Sequence, residues 1–165
     1  MSSKAFSSAL SGIDADIVTV ETDISRGLFC FNIVGLPDKS VDEAKSRVNS
    51  AIKNSGFEYP KKNNQKIIVN LAPAYLKKEG PSYDLPIAIS YLAASEQINP
   101  DLKSTIIIGE LSLDGNVRPI TGALAIVAAA KAKNFKFLID LIILNKHQKP
   151  NKFQITNSKC FEFVI

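Results

Sequence analysis

The chain has 165 residues, 45% of them hydrophobic and 22% charged, with a formal net charge of +4. That is the length and balance of one globular domain that buries its core without a disulfide or metal staple. Its two cysteines, Cys30 and Cys160, lie far apart and outside any CxxC or Cys/His cluster, which excludes a zinc site or redox pair, and no run of about eighteen apolar residues marks a membrane span.

The amino-terminal stretch MSSKAFSSAL carries one lysine and no apolar core of signal-peptide length, so the expected location is the cytoplasm, away from membranes. In Asp16–Ile24 strict alternation puts Val18, Val20, Thr22 and Ile24 on one face of a half-buried strand. Arg26-Gly27 supplies a turn, and Leu28–Val34, rich in aromatic and β-branched residues, is predicted to pair antiparallel with it as a hairpin. Gly35-Leu36-Pro37 ends that strand, and Asp38 is the predicted N-cap of a helix reaching Asn54. Val41, Ala44, Val48 and Ile52 form its buried stripe, Gly56 closes it, and Lys39, Glu43 and Arg47 are expected to be solvated charges on its outer face.

Pro60–Asn64 reads as a loop feeding the strand Lys66–Leu71. An ordered Pro/Gly/Lys loop then leads into a helix over about Asp84–Gln97, with Pro86 in its first turn and Leu85, Ala88, Ile89, Leu92 and Ala93 facing the core. Ser104–Leu113 and Asn116–Ile120 flank Asp114-Gly115, the dipeptide most typical of a two-residue hairpin. Gly122–Lys133 is an alanine-rich helix with Leu124, Val127 and Ala128 predicted inward and Asn134 as its cap; the strand Phe135–Leu144 follows. From Asn145 the pattern decays, leaving a tail that reads as an edge strand or a disordered terminus.

No GxxxxGK[ST] string occurs, so no phosphate-cradling loop is expected here, and the single histidine, His147, has no partner with which to form a triad. The segment that bears most on function is Lys77-Lys78-Glu79-Gly80-Pro81-Ser82-Tyr83-Asp84. With FNIVGLPD, DEAKSRVNSAIKNSGFEYP (Asp42–Pro60), VNLAPAYLKKEG and GELSLDGNVRPITGAL (Gly109–Leu124), it closely resembles the amino-terminal, Lon-protease-like module of the ComM/YifB family of magnesium-chelatase-like ATPases. The residues carrying the signature are Lys78, Glu79, Gly80, Asp84, Pro86, Gly109, Glu110, Gly115, Arg118, Pro119 and Gly122. The resemblance divides the chain into a family-like domain, residues 1–144, and a divergent tail, residues 145–165.

The resemblance implies an α/β (α+β) fold: a mixed sheet packed with helices, in the Lon proteolytic-domain superfold shared with a ribosomal protein domain, including a left-handed βαβ crossover. It also raises Ser82 as a nucleophile, since Lon-type sequences carry their catalytic serine in a related string. A Ser-Lys dyad needs a lysine of lowered pKa within hydrogen-bond reach. The lysine slot of the Lon pattern, carried forward from Pro119-Ile120-Thr121-Gly122, falls on Ile126, which cannot accept a proton. Ser82 is therefore read as a turn or helix-cap residue and the module as non-catalytic, with a Ser82 peptidase or an inert remnant as alternatives. Glu110 and Arg118 are expected to pair with each other or meet a neighbouring subunit.

By the same resemblance the module serves a DNA-remodelling ATPase, in assembly and DNA contact. Its expected partners are DNA, further copies of itself or an ATPase module. ATP and Mg²⁺ are expected only with the ATPase part, so no cofactor is assigned to this chain. Clustered cations suit phosphates, which makes Lys61, Lys62 and Lys66 around one loop, and Lys77 and Lys78 beside the signature, the candidate DNA contacts.

Overall fold

The computed structural model describes residues 1–139. Six strands form the main sheet: β1 (Ser2–Ser11), β2 (Asp14–Arg26), β3 (Cys30–Val34), β4 (Gln65–Ala72), β5 (Thr105–Ile108) and β8 (Lys136–Ile139), in the order β3-β4-β2-β1-β5-β8. A small separate hairpin joins β6 (Glu110–Leu111) to β7 (Val117–Arg118). Three helices complete the domain: α1 (Lys39–Asn54), α2 (Asp84–Ala94) and α3 (Ala123–Ala132).

The strand alternation read from the sequence holds, with Val18, Val20, Thr22 and Ile24 all buried. They join Ile67, Val69 and Leu71 of β4 under α1 and α2. The opposite face of β1, β2 and β5 packs against α3 through a second cluster that includes Ala15, Ile106, Ile108, Ile126 and Ala130. Helices thus cover both faces of the sheet's centre.

Three expectations are corrected. The Ser2–Ser11 segment, read only for targeting signals, is a ten-residue strand paired antiparallel with β2 from Ser2↔Asp23 to Ser11↔Asp14. Its serines carry little apolar signal, yet small side chains let α2 lie close: the Ser3 hydroxyl meets Ser90, and Ser90 donates to Thr22 Oγ1 at 2.8 Å. Second, β2 and β3 do not form a hairpin. β4 lies between them, antiparallel to β2 and parallel to β3, so β3-α1-β4 is a parallel crossover unit.

The third correction concerns α3, whose buried residues are Ile126 and Ala130, while Leu124 is 84% exposed and Ala128 is exposed. A helix apolar all round gives no period with which to choose a face. Two boundaries are corrected besides these three: the helix predicted over Asp84–Gln97 ends at Ala94, and the long strand predicted over Ser104–Leu113 is interrupted at Gly109. The tail from residue 145, with His147 and Cys160, and residues 140–144 of the last predicted strand lie outside the described residues. No described helix is long and apolar enough to cross a membrane.

Ser7 is buried on β1 with no hydrogen-bond partner for its hydroxyl among the described residues. An orphaned buried hydroxyl costs free energy that an apolar side chain avoids. Ser7→Ala is expected to raise the unfolding free energy by about 1 kcal/mol, measured by urea denaturation; a loss of stability would contradict this account of the β1 interface.

Candidate functional site

The signature loop is built against the end of β3. Gly35, at φ +100°, lies so close to β4 that a Cβ would sit 2.1 Å from the Leu71 carbonyl oxygen. Only glycine permits that approach. The chain then runs to Asp38, whose Oδ1 caps α1 by accepting from the Val41 amide at 2.7 Å. Asp38 Oδ2 accepts from the Gly80 amide at 3.2 Å, and the Asp38 amide donates to the Lys78 carbonyl at 3.0 Å. The predicted cap therefore also fastens the signature loop to the start of α1.

Lys78 itself is fully buried. Its ammonium donates to the carbonyls of Gly35, at 2.8 Å, and of Pro73, with no carboxylate within ion-pair distance among the described residues. Burial pushes this amine below the ordinary lysine range. The expectation that Lys78 contacts DNA is overturned, because a side chain spent on two interior carbonyls does not reach a phosphate. Lys77 is exposed and pairs with Glu79 at 2.5 Å.

Ser82 lies half-buried in a single 3-10 turn, Pro81–Tyr83, that leads into α2. Its carbonyl accepts from the Gly109 amide at 2.9 Å, while the α2 N-terminus has no side-chain cap bond, so Ser82 is a turn residue rather than a cap. Among the described residues no lysine is hydrogen-bonded to it. Ile126, at the position the resemblance gives to the base, is buried on the face of α3 that packs on the sheet.

One residue later, Asp84 is fully buried at the start of α2. Arg47 grips it with both arms, Nε to Oδ2 at 2.6 Å and Nη2 to Oδ1 at 3.0 Å, and Oδ2 also accepts the Leu111 amide at 3.2 Å. Arg47 Nη2 reaches the Ser40 carbonyl as well, at 2.9 Å. Burial pushes the Asp84 carboxyl above its usual range, against the pull of Arg47 and the Leu111 amide, while Asp84 holds the guanidinium charged. Arg47 is thus no solvated outer charge, contrary to the sequence reading. The overlooked signal was its place on a stripe of small residues, Ser40, Ala44, Arg47 and Ala51, at helical spacing.

Two other signature residues serve the same junction. Pro86 is buried in the first turn of α2, and Gly109 bonds through its amide to Ser82 and through its carbonyl to the Leu85 amide. Gly115 closes the β6–β7 turn, across which Glu110 accepts from Arg118 at 3.0 Å, the predicted pair. Pro119 is exposed, and Gly122 begins α3 in the left-handed conformation.

The remaining candidate lysines lie elsewhere. Lys61 and Lys62 occupy the 3-10 turn Pro60–Lys62, and Lys66 the start of β4. All three are exposed; Lys62 pairs with Glu58 at 2.9 Å, while Lys61 and Lys66 have no ion pair among the described residues. The eight residues of β4, about 26 Å at ~3.3 Å per residue, lie between them and the loop that carries Lys77. The two predicted groups therefore fare differently: at the signature Lys78 is buried and Lys77 paired, whereas Lys61, Lys62 and Lys66 are all exposed. No group of three metal-ligating side chains occurs among the described residues.

The matched family model, subunit ChlI of Mg-chelatase, covers residues 20–141. The chain belongs to this family, and it matches the amino-terminal region of the ComM/YifB proteins. It is 49% identical over 129 residues to the Escherichia coli protein YifB and 48% identical over 130 residues to the competence protein ComM of Haemophilus influenzae; each match covers 78% of this chain and 25% of the relative. A Mycobacterium tuberculosis relative is 42% identical over 129 residues. The aligned region spans about a quarter of the length of these curated relatives.

Two predictions follow from the buried charges. A lysine depressed in the folded state is protonated more readily in the unfolded chain, so stability should rise with pH from the lowered value of Lys78 toward the unfolded value of about 10.4. Urea midpoints measured across this alkaline range should move in favour of the wild type over Lys78→Met as pH rises. Arg47→Ala strands the Asp84 carboxylate and should cost about 3–5 kcal/mol, read from the same midpoints at neutral pH; a loss below about 1 kcal/mol would mean the pair behaves as a surface bridge.

Proposed function

We propose that this chain is the non-catalytic amino-terminal module of a ComM-like, magnesium-chelatase-related ATPase, acting in assembly and DNA contact from the cytoplasm. The observation that carries the reading is the division of labour among its charges. Lys78 and Asp84 are consumed by interior contacts, and Glu110 and Arg118 by each other, whereas Lys61 and Lys66, at the far end of β4, are exposed without an ion pair among the described residues. A signature spent on internal bonds supports a scaffold role, and exposed cations suit phosphates. ATP and Mg²⁺ belong in this reading to the ATPase part. The Lon proteolytic-domain superfold with its left-handed crossover belongs to the same proposal, supported by a mixed sheet holding the parallel β3-α1-β4 unit.

The test has two arms. Binding of the chain to DNA, followed by fluorescence anisotropy, should weaken as salt rises, and replacing Lys61, Lys62 and Lys66 by alanine should weaken it further and flatten the salt slope. Binding indifferent to both would reject the DNA-contact role. A fluorophosphonate probe should label wild type and Ser82→Ala equally poorly; labelling that depends on Ser82 would replace the scaffold by a peptidase.

A further inference from the structure

We propose that β3 is a self-pairing edge: two copies of this chain join antiparallel along Cys30–Val34, about a two-fold axis at Asn32, so that one sheet runs through both. The inference deepens the assembly half of the proposed function, on which it rests, by naming the partner as a second copy.

β3 is the last strand on its side of the sheet and is bonded to β4 alone. Its outer edge therefore carries backbone N–H and C=O groups with no partner among the described residues, which is a template for another strand. Edge strands that stay single are guarded by a lysine, a proline or a bulge within the strand. β3 has none of these. From Gly27 to Pro37 no residue is charged, Pro37 comes only after the strand, and the ladder with β4 runs unbroken from Cys30↔Lys66 to Val34↔Asn70. Leu28 and Phe29 before the strand, Val34 at its end and Leu36 after it all expose apolar side chains to solvent.

The order of residues selects the occupant. A two-fold pairing sets residue i opposite residue j and j opposite i. Centred on Asn32, it places that residue against its own copy, and the exposed Asn32 amide, which has no bond within the described residues, carries both a donor and an acceptor for this purpose. Cys30 then meets Val34 of the other copy, and on the buried face Phe31 meets Ile33. An aromatic residue opposite a β-branched one is among the favourable cross-strand pairs. Sliding the register by two residues in either direction sets Asn32 against Val34 or Cys30 and leaves its amide unmatched. The strand is thus complementary to itself in a single register, which a second copy supplies.

Sedimentation velocity of the full chain across a wide concentration range should show a reversible monomer–dimer equilibrium. Asn32→Asp, which brings two like charges together on the axis, should weaken the dimer about tenfold or more, and Val34→Lys, which guards the edge, should act in the same direction. Both positions are exposed, so the two variants should keep the wild-type circular dichroism spectrum and urea midpoint. Adding Cys30→Asp to Val34→Lys sets opposite charges against each other in the proposed register and should restore the dimer. A chain that stays monomeric throughout, a dimer untouched by Asn32→Asp and Val34→Lys, or a folded double variant no better than Val34→Lys overturns the inference. A dimer untouched by these changes keeps the assembly reading through another surface, and the salt-dependent DNA titration decides the DNA-contact role independently of either result.

Discussion

The domain is organised around a carboxylate removed from water. Asp84 is fully buried where α2 begins, and two elements converge to satisfy it: α1 through Arg47, and β6 through the Leu111 amide. A buried charge is tolerable only when paired and hydrogen-bonded. Placing Asp84 there therefore obliges α1 to turn Arg47 inward and the β6–β7 hairpin to lie across the start of α2. The Glu110–Arg118 pair and the Gly109 bonds to Ser82 and Leu85 extend the same junction.

A second fastening lies close by in the chain. Lys78 reaches into the space between the ends of β3 and β4, while Asp38 holds both the first turn of α1 and Gly80. The signature string is thus pinned on both sides, by Asp38 before Pro81 and by Arg47 after Tyr83. This explains why so many polar residues cluster in a segment that presents so few free charges. The opposite end of the parallel pair has the reverse character, with Lys61 and Lys66 exposed and without an ion pair among the described residues. One end of the crossover unit is spent on cohesion, and the other is left open to solvent.

Much of this was legible from local pattern. The Asp38 cap, the Val41, Ala44, Val48 and Ile52 stripe, Pro86 in the first turn of α2 and the Asp114-Gly115 hairpin all depend on residues a few positions apart. β1 is not legible because serines at Ser2, Ser3, Ser7 and Ser8 carry little apolar signal, although Ser3 is one of the small side chains that let α2 lie close. The face of α3 was misjudged because Leu124 and Ile126 are equally apolar, and only the sheet decides which is covered.

The family, the cap, most helix and strand positions and the residues of the signature rest on short-range periodicity and on matching strings, and so can be read from the chain alone. That β4 separates β2 from β3, that Lys78 is interior and that Arg47 belongs with Asp84 emerges only from the folded domain. Those outcomes depend on partners 37 to 43 residues apart for the side-chain bonds. Whether a lysine or arginine meets water or a carbonyl is set by what folds over it, which local spacing does not encode.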